Sequence, residues 1–460
     1  MKRTLIALAA LASVASAQAQ TYFDNFTPLT SSQTSALPAA TPVKLSSPDF
    51  SQVSLANRAN QNAITPGQDS GNWDMITANE TGPNAGRYLF APYETGTGGV
   101  MRVDLQDSNY NTRTTTIVAP GTQGFVAGDA SRWTPWGSYL TAEESWGAGS
   151  TKGRLFEVTN PTTATQFTGS FVQRSVIPRV SHEGLAFDSA KSLYFIDELN
   201  GGSIYKFVSA NPNATNGNDY FAAGQTFAAK VNGGNNANAV GALQWAAITD
   251  VNGAALAGVS TLAADGTIDG RVTANTVKGT DYQRPEDLEI SVSSNGKELL
   301  YVATTTTNEV YAFNLTDNSV SLFASTATTD LATGLAVGSG SFTNPDNVAV
   351  DAEGNIYIIE DRNGATDDDI WFAKDINHDG DLLDAGEGLA RWASNGTPGS
   401  EFTGLYFDKF DANKAYVNIQ HPSSGDDRLV MLTAVPEPES YALAIGGLAV
   451  AGLMARRRKG

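Results

Sequence analysis

The sequence predicts an all-β fold, a six-bladed β-propeller set between an N-terminal signal peptide and a short C-terminal apolar helix. Short runs of β-branched and aromatic residues alternate with Gly, Asn, Asp and Thr turns from about 71 to 433. Long helical periodicity is absent. A loose internal repeat then separates a propeller from a sandwich, a barrel or a β-solenoid, which would need a shorter and more regular period.

Each repeat has a polar or acidic pair, a strand ending in Asp, a turn, a strand rich in Tyr, Ile and Val, and a further aromatic strand. It appears as His182-Glu183-Gly184-Leu185-Ala186-Phe187-Asp188, then Leu193-Tyr194-Phe195-Ile196-Asp197-Glu198 and Ile204-Tyr205-Lys206-Phe207-Val208. It returns from Pro285-Glu286-Asp287-Leu288, from Pro345-Asp346-Asn347-Val348 and from Phe402-Thr403-Gly404-Leu405, with weaker copies over about 87–104 and 134–158. The Ala/Gly/Asn-rich stretch of about 210–275 reads as strands of the same system with long loops.

The domain limits follow. Residues 1–19 read as a secretory signal: Lys2 and Arg3, an apolar run from Leu5 to Val14, then small residues at Ala15-Ser16-Ala17. Residues 20–70, rich in Ser, Thr, Ala, Gln and Pro, read as a leader wrapping the surface, and 71–433 as the propeller. Residues 434–460 hold Val435-Pro436-Glu437-Pro438, an apolar stretch from Tyr441 to Met454 and Arg456-Arg457-Arg458-Lys459. That order resembles the PEP-CTERM sorting signal read by exosortase in Gram-negative, exopolysaccharide-making bacteria. The apolar stretch reaches only about 21 Å as a helix, short for a hydrocarbon core of about 30 Å, so it suits a transient membrane segment awaiting processing. The expected location is extracellular or at the outer cell surface or periplasm, with exosortase as processing partner and exopolysaccharide as a further partner.

Composition narrows the chemistry. The chain has no cysteine, so disulfides, thiolate ligands and a Cys nucleophile are excluded. Its net charge of −19 argues against nucleic acid as a partner. Only His182, His378 and His421 are present, too few for a histidine-rich zinc site, and neither a serine nucleophile elbow nor a phosphate-binding glycine loop occurs. His421 reads as a loop histidine, with an acid–base role near the channel as the alternative.

A carboxylate at one place in successive blades converges on the propeller axis. The repeat puts Glu143 and Glu144, Glu183, Asp197 and Glu198, Glu286 and Asp287, Asp346 with Asn347, and Glu360 with Asp361 at such places. Clustered carboxylates in a low-dielectric channel need cations, and many oxygen ligands favour calcium. The alternative is that the acids cap turns on the solvent side. A second calcium candidate is Asp375-Ile376-Asn377-His378-Asp379-Gly380, with oxygens at positions 1, 3 and 5 and Gly at 6; Glu387 falls at position 13 rather than 12, and no flanking helix is evident. The Asp367-Asp368-Asp369 run reads as solvated.

The same residues carry a resemblance. Thr134-Pro135-Trp136-Gly137-Ser138-Tyr139-Leu140-Thr141-Ala142-Glu143-Glu144 is similar to the signature Thr-Pro-Trp-Gly-Thr-Trp-Leu-Thr-Cys-Glu-Glu of the PhoX-type secreted alkaline phosphatases, a β-propeller family. His182-Glu183-Gly184, Asp197-Glu198, Arg284-Pro285-Glu286-Asp287, Pro345-Asp346-Asn347 and Asn418-Ile419-Gln420-His421-Pro422 follow in the family's order over about 85–433. The resemblance implies hydrolysis of a phosphorylated small molecule, with calcium and a pair of irons at the channel mouth. It makes Arg284 and Glu286 the candidate catalytic residues, Arg284 clamping the phosphate. Glu143, Glu183, Asp197, Glu198, Asp287, Asp346 and Asn347 become candidate metal ligands or phosphate neighbours. The family's cysteine falls on Ala142, whose methyl cannot ligate iron, and the family's twin-arginine export signal is missing, so calcium is the expected cofactor. The rivals are a non-catalytic calcium-stabilised propeller of the matrix and a lactonase- or phytase-like propeller hydrolase.

Overall fold

The computed structural model describes residues 21–435, apart from 67–69, 146, 148–149, 235 and 363–366. The signal-peptide residues and the Pro-Glu-Pro, apolar and basic segments lie outside the described residues. Among those described, no helix is long and apolar enough to cross a membrane.

The chain is all-β and propeller-like, with three short α-helices among the described residues, at Arg58–Ile64, Gly217–Tyr220 and Gly270–Thr276. The sheets are antiparallel and mostly built as meanders, the arrangement that short hairpin turns between alternating strands dictate, with a separate two-stranded ladder between Asn200–Gly202 and Tyr282–Gln283. The first runs from Thr77–Ala78 through Tyr88–Pro92 and Val100–Asp104 to Thr114–Val118; the second from Gly128–Trp133 through Tyr139–Glu143 and Leu155–Val158 to Phe171–Gln173. Next comes a nine-stranded sheet whose ends are Leu185–Phe187 and Pro285–Val292. Its two halves are joined by a short ladder in which Gly241 and Ala242 pair with Val320 and Ser319. The last two sheets begin at Pro345–Val350 and Glu401–Phe407.

The leader does more than wrap the surface. Val43–Leu45 pairs with the outer strand Gly388–Asn395, and Phe50–Asn57 pairs with Arg428–Ala434. The chain's N-terminal part thus completes the final sheet, so one edge is paired instead of exposed. Phe23 packs edge-on against Trp392, Phe407 and Phe50, each with ring centroids 5.5 Å apart, tying the leader into the core.

The innermost strands follow one another around an axis. Thr77–Ala78 packs beside Gly128–Trp133, that strand beside Leu185–Phe187, then Pro285–Val292, Pro345–Val350 and Glu401–Phe407. The ring closes because Thr403 and Asn418 hydrogen-bond to Asp74, just ahead of the first strand. Apolar clusters fill the spaces between sheets, such as Leu299, Tyr301, Val348, Ile358 and Trp371. Polar residues are left to the axis.

Candidate functional site

The inner strands bend where they reach the axis. Register shifts fall between Gly128 and Ser131, Pro285 and Leu288, Pro345 and Val348, and Thr403 and Tyr406. A bulge re-aims a side chain that regular pleating would send into a neighbouring sheet. The residues re-aimed here are Asp129, Glu286 and Asp346, with Asp74, Glu183 and Thr403 at the matching places in the other repeats. A second tier comes from the first or second residue beyond the second strand: Glu94, Glu144, Glu198, Thr305, Asp361 and His421.

The two tiers surround a cavity of about 300 Å³. Nine carboxylates line it: Asp74, Glu94, Asp129, Glu144, Glu183, Glu198, Asp346, Asp361 and Glu401; Arg284 and His421 are the cationic or titratable bases in the same wall. Glu286 lies just behind it, and oxygens of Glu183, Glu286 and Asp346 sit within 4.8 Å of one another. These three come from separate inner strands and are buried.

The electrostatics follow from that crowding. Burial, then Glu286 and Asp346, pushes the Glu183 carboxyl well above the usual range, and burial with Glu286 and Asp361 does the same to Asp346. Burial raises Glu286 to about 7, although the Glu183, Arg284 and Thr305 contacts pull it back. Burial and neighbouring acids also raise Asp74, Asp129, Glu198 and, to about 12, Glu401. Glu286 Oε2 is buried with no hydrogen-bond partner, as is Asp129 Oδ1. A cluster of carboxylates with orphaned buried oxygens is the donor set of a hard divalent cation.

Arg284 stands at this wall. Its Nε lies 2.8 Å from Glu286 Oε1 and its Nη2 3.1 Å from Glu198 Oε1. Its φ is +56°, and Asn72, Ala127 and Asn344, each also two residues before an acid of the inner tier, share that left-handed conformation. Asparagine tolerates it; an arginine accepts a cost of about 1 kcal/mol. His421 Nε2 is 3.2 Å from Glu94 and 3.4 Å from Glu401, and the hydrogen bond to Glu94 raises its pKa.

The expected residues divide sharply. Glu183, Glu198, Glu286, Asp346 and Arg284 are brought together. Glu143 and Asp197, the first acids of their pairs, are fully buried but turned away from the cavity. Glu143 pairs with Arg154 through both oxygens, accepting from Nε at 2.8 Å. Asp197 accepts from Arg271 Nε at 2.6 Å and from the Ser181 N–H at 3.0 Å. Glu360, also first of its pair, accepts from Trp371 Nε1 at 3.0 Å.

Asp287 and Asn347 act as staples between inner strands. Asp287 Oδ2 accepts from the Val348 N–H at 3.1 Å, and Asn347 Oδ1 from the Gly404 N–H at 2.8 Å. Gly184 makes room for the first of these, since a Cβ there would sit 2.7 Å from Asp287 Oδ1.

Asp375, Asn377 and Asp379 lie away from the axis, in the loop between Asp369–Lys374 and Gly388–Asn395. Their oxygens accept from the loop's own N–H groups: Asp375 from Asp379 and Gly380, Asn377 from Asp379, Asp379 from Asp381. The Asp367-Asp368-Asp369 run is not solvated as expected. Asp368 and Asp369 are fully buried, because Arg391 neutralises Asp369 and Ser32 donates to it at 2.7 Å.

Sequence reasoning missed Asp74, Glu94, Asp129 and Glu401. Asp129 was visible in principle as the counterpart of Glu183 one repeat earlier, and Glu94 as the counterpart of Glu144. Ala142 is fully buried in an apolar cluster with Leu140, Leu155 and Leu185 and does not line the cavity.

A family model of alkaline phosphatase PhoX matches residues 123–423, and one of the PEP-CTERM protein-sorting motif matches 434–459. The sorting motif implies export in Gram-negative bacteria and processing by an exosortase. No curated protein matches the chain. Among solved structures, Pseudomonas fluorescens PhoX in complex with vanadate, a transition-state analogue, is similar at a TM-score of 0.61 and 17% identity, covering 88% of this chain and 98% of that one. A Bacteroides thetaiotaomicron protein of unknown function gives a TM-score of 0.40 and 11% identity over 88% of this chain and 75% of that one. A PQQ-bound aldose sugar dehydrogenase from Streptomyces coelicolor gives 0.39 and 12%, over 86% and 99%. With most of the propeller region inside the matched span, the chain belongs to the PhoX alkaline phosphatase family.

Proposed function

We propose that the protein is an exported, calcium-dependent phosphomonoesterase working in its axial channel. Counting the nine-stranded sheet as two blades, split at its two-residue junction, makes the architecture a six-bladed propeller. The observation that carries the reading is the convergence of Glu183, Glu286 and Asp346 within 4.8 Å beside Arg284.

Nine lining carboxylates would repel a phosphate dianion, so the same cations that let those carboxylates ionise are also needed for substrate entry. Glu183, Glu286 and Asp346 would hold one such ion, with Asp74, Asp129 and Glu198 in reach of the same cavity. Calcium there would supply Lewis acidity at a phosphoryl oxygen. Arg284, held by Glu198 and Glu286, presents a planar fork suited to two phosphate oxygens. The carboxylate oxygens of Glu183, Glu286 and Asp346, in a chain with no cysteine, favour calcium over the iron pair that the resemblance implies.

The test is hydrolysis of p-nitrophenyl phosphate at alkaline pH by the exported domain, with and without calcium, alongside elemental analysis. Calcium-dependent turnover that Arg284→Ala abolishes supports the proposal. One observation favours a non-catalytic, calcium-stabilised propeller of the exopolysaccharide matrix: alanine stands at position 142, where the family has cysteine. Calcium that raises the melting temperature without turnover of any phosphoester would select that reading. Turnover confined to lactones or to phytate would select another propeller hydrolase.

A further inference from the structure

At the turns that join the innermost strand to the second in the first three sheets, a recess of about 560 Å³ opens. Among the described residues no carboxylate lines it, in a chain of net charge −19 whose channel wall holds nine. Its wall is built from hydroxyls, amides, two indoles and one ammonium, among them Thr81, Asn84, Trp133, Trp136, Lys191 and Asn213. A second recess of about 280 Å³ shares Trp136, Gly137 and Thr215 with the first and continues in Ser, Thr and Asn side chains, with the buried Glu157–Arg174 ion pair in its wall. The two adjoin at Trp136 and form one groove.

The indole is held in place. Trp136 Nε1 donates to Glu157 Oε1 at 2.8 Å, and its ring packs against Tyr220 with centroids 4.4 Å apart. Lys191 Nζ donates to Asn213 Oδ1 at 3.4 Å, and Trp133 Nε1 donates to Thr81 Oγ1 at 2.9 Å, fixing the rim. Asn84, Asn213 and Thr215 remain exposed.

We infer that this groove binds a polysaccharide chain of neutral hexose units. A hexose ring has an apolar C–H face and an edge of hydroxyls. A fixed indole matches the face, and amides and hydroxyls, which both donate and accept, match the edge. The groove's one carboxylate, Glu157, is buried and neutralised by Arg174, so no unpaired acid faces the sugar's hydroxyls. A groove with subsites on both sides of the aromatic suits consecutive units of a polymer better than one small molecule. The site is separate from the channel and does not rest on the phosphatase reading.

The test uses the exported domain with neutral hexasaccharides of β-1,4-glucan, β-1,3-glucan and β-1,4-mannan, and a polymannuronate hexasaccharide as charged comparator. Calorimetry and indole fluorescence read the binding. At least one neutral sugar is expected to bind more tightly than about 1 mM, with a change in Trp emission. The double variant Asn213→Ala/Thr215→Ala, both on the exposed loop, weakens it about tenfold and leaves p-nitrophenyl phosphate turnover unchanged. If Trp136→Leu fails to fold, the loop variant still decides. Absence of neutral-sugar binding, equal binding by the double variant, or tighter binding of polymannuronate than of every neutral sugar overturns the inference.

Discussion

The channel and the loop at 375–387 are both rich in carboxylates, yet their acids live in opposite states. In the loop, each candidate oxygen accepts a hydrogen bond from a nearby N–H within the same turn, as Asp375 does from Asp379 and Gly380. In the channel, acids from distant parts of the chain face one another, and Glu286 Oε2 has no partner although it is buried. Local spacing therefore marks the loop, while only folding creates the channel. A carboxylate satisfied by its own backbone has little need of a cation; one that crowds two others has a large one.

The sharpest way to break this comparison is at the channel wall. Glu286→Gln and Arg284→Ala should each lower p-nitrophenyl phosphate turnover by about 10³-fold, the scale of losing a charge-stabilising group at a reacting centre. Arg284→Asn separates function from folding, because asparagine suits the +56° backbone there. Its melting temperature in calcium should stay within about 2 °C of the parent while turnover is lost. A variant that keeps turnover would place the chemistry elsewhere.

A second division runs inside each acid pair. Glu143→Gln removes the charge partner of Arg154 in a site with no exposure of the carboxylate, and should cost about 3 kcal/mol of stability by denaturant unfolding. Glu144→Gln, one residue on and facing the cavity, should leave unfolding nearly unchanged and weaken calcium binding. Equal effects on stability would mean that the pair does not alternate as the structure has it.

Proton linkage follows with a definite sign. Glu286 and Asp287 are raised by burial to about 7 in the folded chain, from ordinary values of 4.5 and 3.8. A raised carboxyl contributes stability that is full below its unfolded value and is lost as pH rises through its folded one. Cation-free protein should therefore lose stability between about pH 4 and pH 8, with Glu183 and Asp346 extending the loss upward. Calcium at a hundred times its dissociation constant should restore about 2.7 kcal/mol, a rise of about 3 °C in melting temperature, and more at pH 8 than at pH 5. Calorimetry at the two pH values reads this directly; a cation-free chain that is more stable at pH 8 contradicts it.

How much of this was legible beforehand depends on which side chains share a repeat position. The strand–turn pattern and the positions of Glu183, Glu286 and Asp346 could be read because each opens a recognisable inner strand. The choice between neighbours such as Glu143 and Glu144 could not, since one residue's difference along a strand decides between channel and structural arginine. Arg154 and Arg271, which claim Glu143 and Asp197, sit 11 and 74 residues away from them and follow no spacing rule. Asp74 escaped notice because its inner strand is only the pair Thr77–Ala78 and the surrounding sequence lacks the repeat's Leu and Phe. The burial of Asp368 and Asp369 was equally hidden, as it depends on Arg391 reaching over from the next strand.

The smallest effect belongs to the loop. In Asp379→Asn an amide oxygen can still accept from the Asp381 N–H, and what is lost is the exposed charge and an exposed hydrogen bond from Asn377 Nδ2. Stability should change by less than about 0.5 kcal/mol, and the calcium-induced rise in melting temperature should persist. Abolition of that rise by Asp379→Asn, with Glu286→Gln leaving it intact, would move the cation from the axis to the periphery. The channel carboxylates would then have to be neutralised by protons alone, and burial has already supplied the raised affinities that such neutralisation requires.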